Sequence, residues 1–145
     1  MHSPKAFTIA ELLIATAIIL LTSLAILFSY VLCLELNTIN KNTLSALENA
    51  RNTLETLKST SFEAIYDTYH DKTFPLQGVE GIGLVEIDNK NPLLLGVSIK
   101  CFWKSKGRVI GEDKNIDGKL DLDEDKNDNG KLDSPVTLFT HIAKR

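Results

Sequence analysis

The sequence predicts an α+β protein: one long N-terminal helix, apolar in its first half and amphipathic in its second, packed on a small antiparallel β-sheet. Three observations carry this expectation. Residues 7–34 form an apolar run whose only charge is Glu11. Past residue 40, apolar side chains recur at three- and four-residue steps, the period of a helix with one covered face. Beyond Pro75 the period falls to two, as in strands covered on one side.

The 145 residues leave room for one small domain beside the long helix, and not for two full domains. At 1.5 Å per residue the apolar run exceeds the roughly 20 residues that cross the hydrocarbon of a bilayer. Its Ala, Leu and Ile content, with no Gly or Pro, predicts an unbroken helix. Only MHSPKA precedes it, and Lys5 with the free amine holds that end in the cytoplasm and sends the rest outward. Glu11 is then the informative residue, because a carboxylate in hydrocarbon is costly and calls for a partner or a shallow position. An early carboxylate and so long an apolar region also fit poorly with a cleaved secretory signal.

The stretch Lys5-Ala6-Phe7-Thr8-Ile9-Ala10-Glu11-Leu12-Leu13-Ile14-Ala15 resembles the prepilin signature, a short basic leader followed by Phe-Thr-x-x-Glu-Leu-Leu. The resemblance to the type IV pilin-like family implies a leader over residues 1–6, cut between Ala6 and Phe7 by a prepilin peptidase, and an N-methylated Phe7. It implies that Glu11 neutralises the amino terminus of a neighbouring subunit, which supplies the partner a membrane carboxylate calls for. Ala6 stands where the family usually has Gly. The apolar half lacks the Pro of many major pilins, which is closer to minor pilins and pseudopilins. The boundaries implied are a transmembrane and assembly segment over 7–35 and a globular head over 36–145. The inner membrane of a bacterium is the implied location, single-pass, with the N-terminus cytoplasmic and the head periplasmic. From there the subunit enters an extracellular filament or a periplasmic pseudopilus.

In the head, Leu44, Leu47, Ala50, Leu54, Leu57 and Ser61 mark one helical stripe, giving a helix of about 80 Å from residue 7 to about 59. Residues 59–65 read as a break and a short capped turn or last helical segment. Strands are expected over 82–87, 93–104, 108–110 and 136–143, with a turn at 88–92, making three or four antiparallel strands. Val97, Ile99, Cys101 and Trp103 share one face of the second of these, and Val136, Leu138, Thr140 and Ile142 one face of the last. Cys33 and Cys101 form no metal motif; a buried reduced thiol is expected at Cys101, the alternative being a disulfide to Cys33, which lies at the membrane edge of the helix.

Residues 112–123, EDKNIDGKLDLD, and 124–135, EDKNDNGKLDSP, form a tandem repeat of period twelve. Residues 112–133 hold nine acids against four lysines, a local charge of −5 in a chain of net −3. Counted from Asp113, the positions one, three, five, seven, nine and twelve are Asp113, Asn115, Asp117, Lys119 (by its carbonyl), Asp121 and Glu124, with Gly118 at six. That is the order of an EF-hand loop, and oxygen donors at these steps suit Ca²⁺. The second loop supplies Asp125, Asn127, Asn129, Lys131 (by its carbonyl) and Asp133. Its position twelve is Val136, so it should bind more weakly unless Glu112 or Asp123 folds back. One Ca²⁺ is expected, or two with that help. The loops abut with no helices between them, unlike a paired EF-hand or a dockerin, and resemble tandem Asp/Asn-rich insertions of bacterial surface proteins.

No enzyme chemistry is expected, since His2, His70 and His141 form no ligand pair and no phosphate loop or nucleophile motif is present. No basic face for nucleic acid occurs. The expected function is a structural subunit, minor pilin or type II secretion pseudopilin, whose partners are other such subunits, the prepilin peptidase and the inner membrane. The alternatives are a membrane-anchored, calcium-dependent binding module that does not polymerise, and a plain signal-anchored calcium protein.

Overall fold

The computed structural model describes residues 8–144, so the expected cleavage point between Ala6 and Phe7 lies outside the described residues. Two compact units divide the chain between Thr38 and Ile39. Helix α1 (Ile9–Ser59) begins in the first and ends in the second.

In the first unit every residue from 9 to 38 is exposed, including the apolar run from 9 to 34. A helix that is apolar all round has no face to give to water. With a mean hydropathy of 2.6 in its most apolar window, α1 is long and apolar enough to span a bilayer. Its hydroxyls fit that medium. Ser23 Oγ donates to the Ile19 carbonyl at 2.7 Å, Ser29 Oγ to Ala25 at 2.9 Å and Thr22 Oγ1 to Ile18 at 3.0 Å, so none of the three needs water.

In the second unit α1 presents Ala46, Ala50 and Leu57, all fully buried, with Leu47 and Leu54 at their margin. Leu44, expected in the stripe, is 56% exposed, and the small Ala46 takes its place against the sheet. After Ser61, in extended conformation, α2 (Phe62–Tyr69) buries Ile65. Five antiparallel strands follow: β1 (Lys72–Pro75), β2 (Gly81–Asn91), β3 (Leu94–Ser105), β4 (Arg108–Ile110) and β5 (Val136–Ala143). The expected three or four strands are thus five, because β1 was not foreseen. Residues 88–91, expected as a turn, continue β2 through an irregularity between Asp88 and Asn91, and only Pro92 and Leu93 turn the chain. The Asn91 side-chain oxygen accepts the Leu93 N–H at 2.9 Å and closes that turn.

Strand β3 is central. It pairs with β2 along one edge (Val85 opposite Ile99) and with β5 and β4 along the other (Ile99 opposite Leu138, Trp103 opposite Ile110). The alternation holds: Val97, Ile99, Cys101 and Trp103 are buried on the helix side with Val85, Ile87 and Val136. The Cys101 thiol lies 3.5 Å from the Ala46 carbonyl, and burial pushes its pKa up to about 12. Cys33 is exposed, and both cysteines are free.

The opposite face of β3 is covered too. Phe102 is fully buried and Lys100 only 5% exposed, in a second small core where Phe102, Leu84 and Ile82 meet Leu132. Leu132 belongs to the second acidic repeat, so that loop is a lid on the sheet. The Lys100 ammonium reaches the Glu86 carboxylate at 2.8 Å, which offsets the cost of its burial.

Leu57→Ala should cost about 2–5 kcal/mol through the cavity it leaves, and Leu44→Ala less than about 1 kcal/mol. Denaturant melts of the intact chain in micelles measure both. Equal losses would contradict this packing.

Candidate functional site

The two acidic repeats fold in the same way. In the first, the Asp113 carboxylate accepts the N–H groups of Asp117 at 3.1 Å and Gly118 at 2.8 Å. In the second, Asp125 accepts those of Asn129 at 3.0 Å and Gly130 at 2.6 Å. Asn115 and Asn127 each accept the N–H two residues on, at 3.2 Å in both loops. Asp117 and Asn129 do the same to Lys119 and Lys131, at 2.8 Å. Positions four and six have positive φ in both loops: Ile116 and Gly118 at 58° and 78°, Asp128 and Gly130 at 56° and 70°. At position six Gly adopts this conformation without the penalty that a Cβ carries there, a penalty that Ile116 and Asp128 bear at position four.

The closing carboxylates are exchanged between the repeats. Glu124 accepts the N–H of Lys114 at 2.7 Å and of Asp121 at 3.3 Å, closing the first loop. Glu112 accepts those of Lys126 at 3.3 Å and Asp133 at 3.0 Å, the equivalent positions of the second. Each repeat thus opens with a Glu that serves the other. Glu112 occupies the role that Val136 cannot, and it belongs with the candidate residues although it precedes the twelve-residue frame. Asp123 turns outward, where the Lys114 ammonium at 2.7 Å holds its carboxyl below the usual range.

Asp113 is fully buried, Glu124 2% exposed and Glu112 8%. Among the described residues no lysine or arginine pairs with these three; their partners are backbone N–H groups. Burial, and secondarily the nearby Glu124 charge, pushes the Asp113 carboxyl above its ordinary range. Asp133 is instead held low, chiefly by the amides of Asn127 and Asn129, each 2.8 Å away. Asn115 likewise donates to Asp121 at 3.0 Å. Among the described residues no three Asp, Glu, His or Cys side chains form a close group of their own. The loop set is mixed, drawing on carboxylates, amide oxygens and the Lys119 and Lys131 carbonyls. An all-oxygen set of this kind has the chemistry of a hard divalent cation.

At the other end of the chain, Glu11 caps its own helix. Its carboxylate accepts the Thr8 N–H at 2.9 Å and the Thr8 hydroxyl at 3.0 Å, while Thr8 Oγ1 accepts the Glu11 N–H at 3.3 Å. This reciprocal capping box satisfies donors that a helix start leaves bare, and its signal is the spacing Thr-x-x-Glu.

No family model, no curated protein and no solved structure matches this chain.

Gly118→Ala should destabilise more than Gly130→Ala. Both force a side chain to positive φ, but a Cβ at 118 runs into Thr73 of β1, whereas at 130 it meets nothing within 4 Å. Thermal melts of the two variants decide, and equal shifts would show that the first loop is not docked on β1.

Proposed function

We propose that this chain is a structural subunit of a type IV pilus-like filament, a minor pilin or type II secretion pseudopilin, held in the inner membrane before assembly and braced in its head by Ca²⁺. The observation that carries this reading is α1 itself. Its residues 9–34 are apolar and exposed with Glu11 as their one carboxylate, and its last turns belong to the core of a separate head. A signal anchor needs only the apolar length. A subunit that packs side by side with its copies uses both that length and a charge at the point where a neighbour's amine must be met. The prepilin-like residues 5–15 support the same reading.

In the head, the first loop would hold its ion through Asp113, Asn115, Asp117, Asp121, Glu124 and the Lys119 carbonyl. The second would use Asp125, Asn127, Asn129, Asp133 and the Lys131 carbonyl, with Glu112 in place of the missing twelfth ligand. Bound Ca²⁺ would supply the positive charge that the buried carboxylates lack.

The mature chain should begin at Phe7, read by mass spectrometry of membrane-extracted protein; an intact Met1 terminus beside an active prepilin peptidase would sink the proposal. Glu11→Gln separates the two roles of that residue, because Gln preserves the capping box and removes the charge. Insertion should persist and incorporation into filaments should fall. Normal incorporation of Glu11→Gln would show that capping is all Glu11 does.

Calcium should raise the melting temperature of the intact chain in micelles, Mg²⁺ much less. The gain is about 2.7 kcal/mol at a hundredfold excess over Kd. Calorimetric titration should count two ions for the parent chain and one for either Glu112→Ala or Glu124→Ala. Identical melts in EGTA, Ca²⁺ and Mg²⁺ would reduce the repeat to a solvated acidic loop.

A further inference from the structure

The acidic lid covers only part of the outer sheet face. Beyond its edge lies an open cleft of about 890 Å³, within the size range of small-molecule sites. The same Gly-Lys-Leu segment of both repeats, 118–120 and 130–132, lines one side of it, and the outer face of β2, β3 and β5 lines the other. Phe139 of β5 stands at its margin, 64% exposed, beside Gly96 of β3, where the lack of a side chain leaves room next to the ring. A second hollow of about 180 Å³ shares Phe139, Gly96, Asp88 and Lys90 with the first, so this ring borders two cavities.

The charges around the ring are largely matched. Lys90 holds Asp88 at 3.1 Å, Lys100 holds Glu86 at 2.8 Å and His70 stands 3.4 Å from Asp71. Lys119 and Lys131 face the cleft together with Asp117. In all, three lysines and four carboxylates line it, and the buried Lys100 ammonium on Glu86 brings the signs level. Neither sign dominates, so the cleft offers no net field to select an ion. What it offers is a dense set of fixed donors and acceptors around one flat apolar surface.

We infer that this cleft is a binding site for a neutral saccharide, with the Phe139 ring as the platform on which one sugar face stacks. A pyranose has the matching chemistry. Its axial C–H bonds form an apolar face that covers an exposed ring, and its rim of hydroxyls both donates and accepts. A hydroxyl exchanges water for Asp88, Lys90 or Ser98 without carrying charge into the site, whereas a charged ligand beside the ring would have to break the Lys90–Asp88 or Lys100–Glu86 pair. The inference stands on the cleft and not on filament assembly.

The test is calorimetric titration of the intact chain in lauryldimethylamine oxide micelles, which carry no sugar headgroup, with maltohexaose, cellohexaose, chitohexaose and, as the acidic control, tetragalacturonate. At least one neutral hexamer should bind with half-saturation below about 1 mM. Phe139→Ala should weaken it by about tenfold or more, with an unchanged melting temperature because the ring is exposed, while Phe139→Tyr should stay within about threefold. The inference is overturned if no neutral hexamer saturates by about 10 mM or if Phe139→Ala binds as the parent does. It is equally overturned if tetragalacturonate binds more tightly than all three and loses that binding in Lys119→Ala and Lys131→Ala.

Discussion

Strand β3 lies at the centre of the sheet, hydrogen-bonded on both edges, and over residues 99–103 its side chains alternate between two faces that both exclude water. Val97, Ile99, Cys101 and Trp103 need the helices on one side; Phe102 and the aliphatic stem of Lys100 need the lid on the other. A single helix on a small sheet buries little apolar area, and a head of this size is marginal on that alone. The lid supplies the missing layer. An insertion that reads as surface ornament is therefore part of the core, and the order of its backbone matters to the whole head.

That arrangement sets a problem in electrostatics. Five of the lid's nine acids show two opposite environments. Asp123 and Asp133 lie outward beside Lys114 or side-chain amides, which lower their pKa. Asp113, Glu112 and Glu124 are buried with backbone N–H groups alone, and Asp113 is pushed the other way. Backbone donors satisfy lone pairs but do not cancel charge, and uncompensated buried charge opposes folding. The inward group is what would give a bound cation its leverage on stability, whatever the total charge of the loop.

The α+β class, the extent of α1, the inward alternation of β3 and β5 and the repeat were all legible in the sequence, because each is a periodic signal. What escaped was set by tertiary context. Strand β1 is four residues, Lys-Thr-Phe-Pro, too short for a period and defined only by its pairing with residues 82–85 of β2. Ala46 was passed over because the more apolar Leu44 also fits the helical stripe, yet close packing favours the small residue there. Phe102 and Lys100 alternate as outward residues should, and only a distant segment of chain makes them interior. The choice between Glu112 and Asp123 as the carboxylate folding back on the second loop stayed open, because a twelve-residue motif has no place before position one; the repeat contained the hint, since Glu112 and Glu124 hold the same place in it.

The exchange of Glu112 and Glu124 also bears on how such an insertion can grow or shrink. Removing one twelve-residue copy would not leave a working half, since the remaining loop would have its leading Glu and no neighbour to lend it a closing one. A third copy would bring a loop and a carboxylate with no partner repeat to exchange with. The pair of twenty-four residues, and not the single repeat, is therefore the smallest piece of this lid that closes on itself.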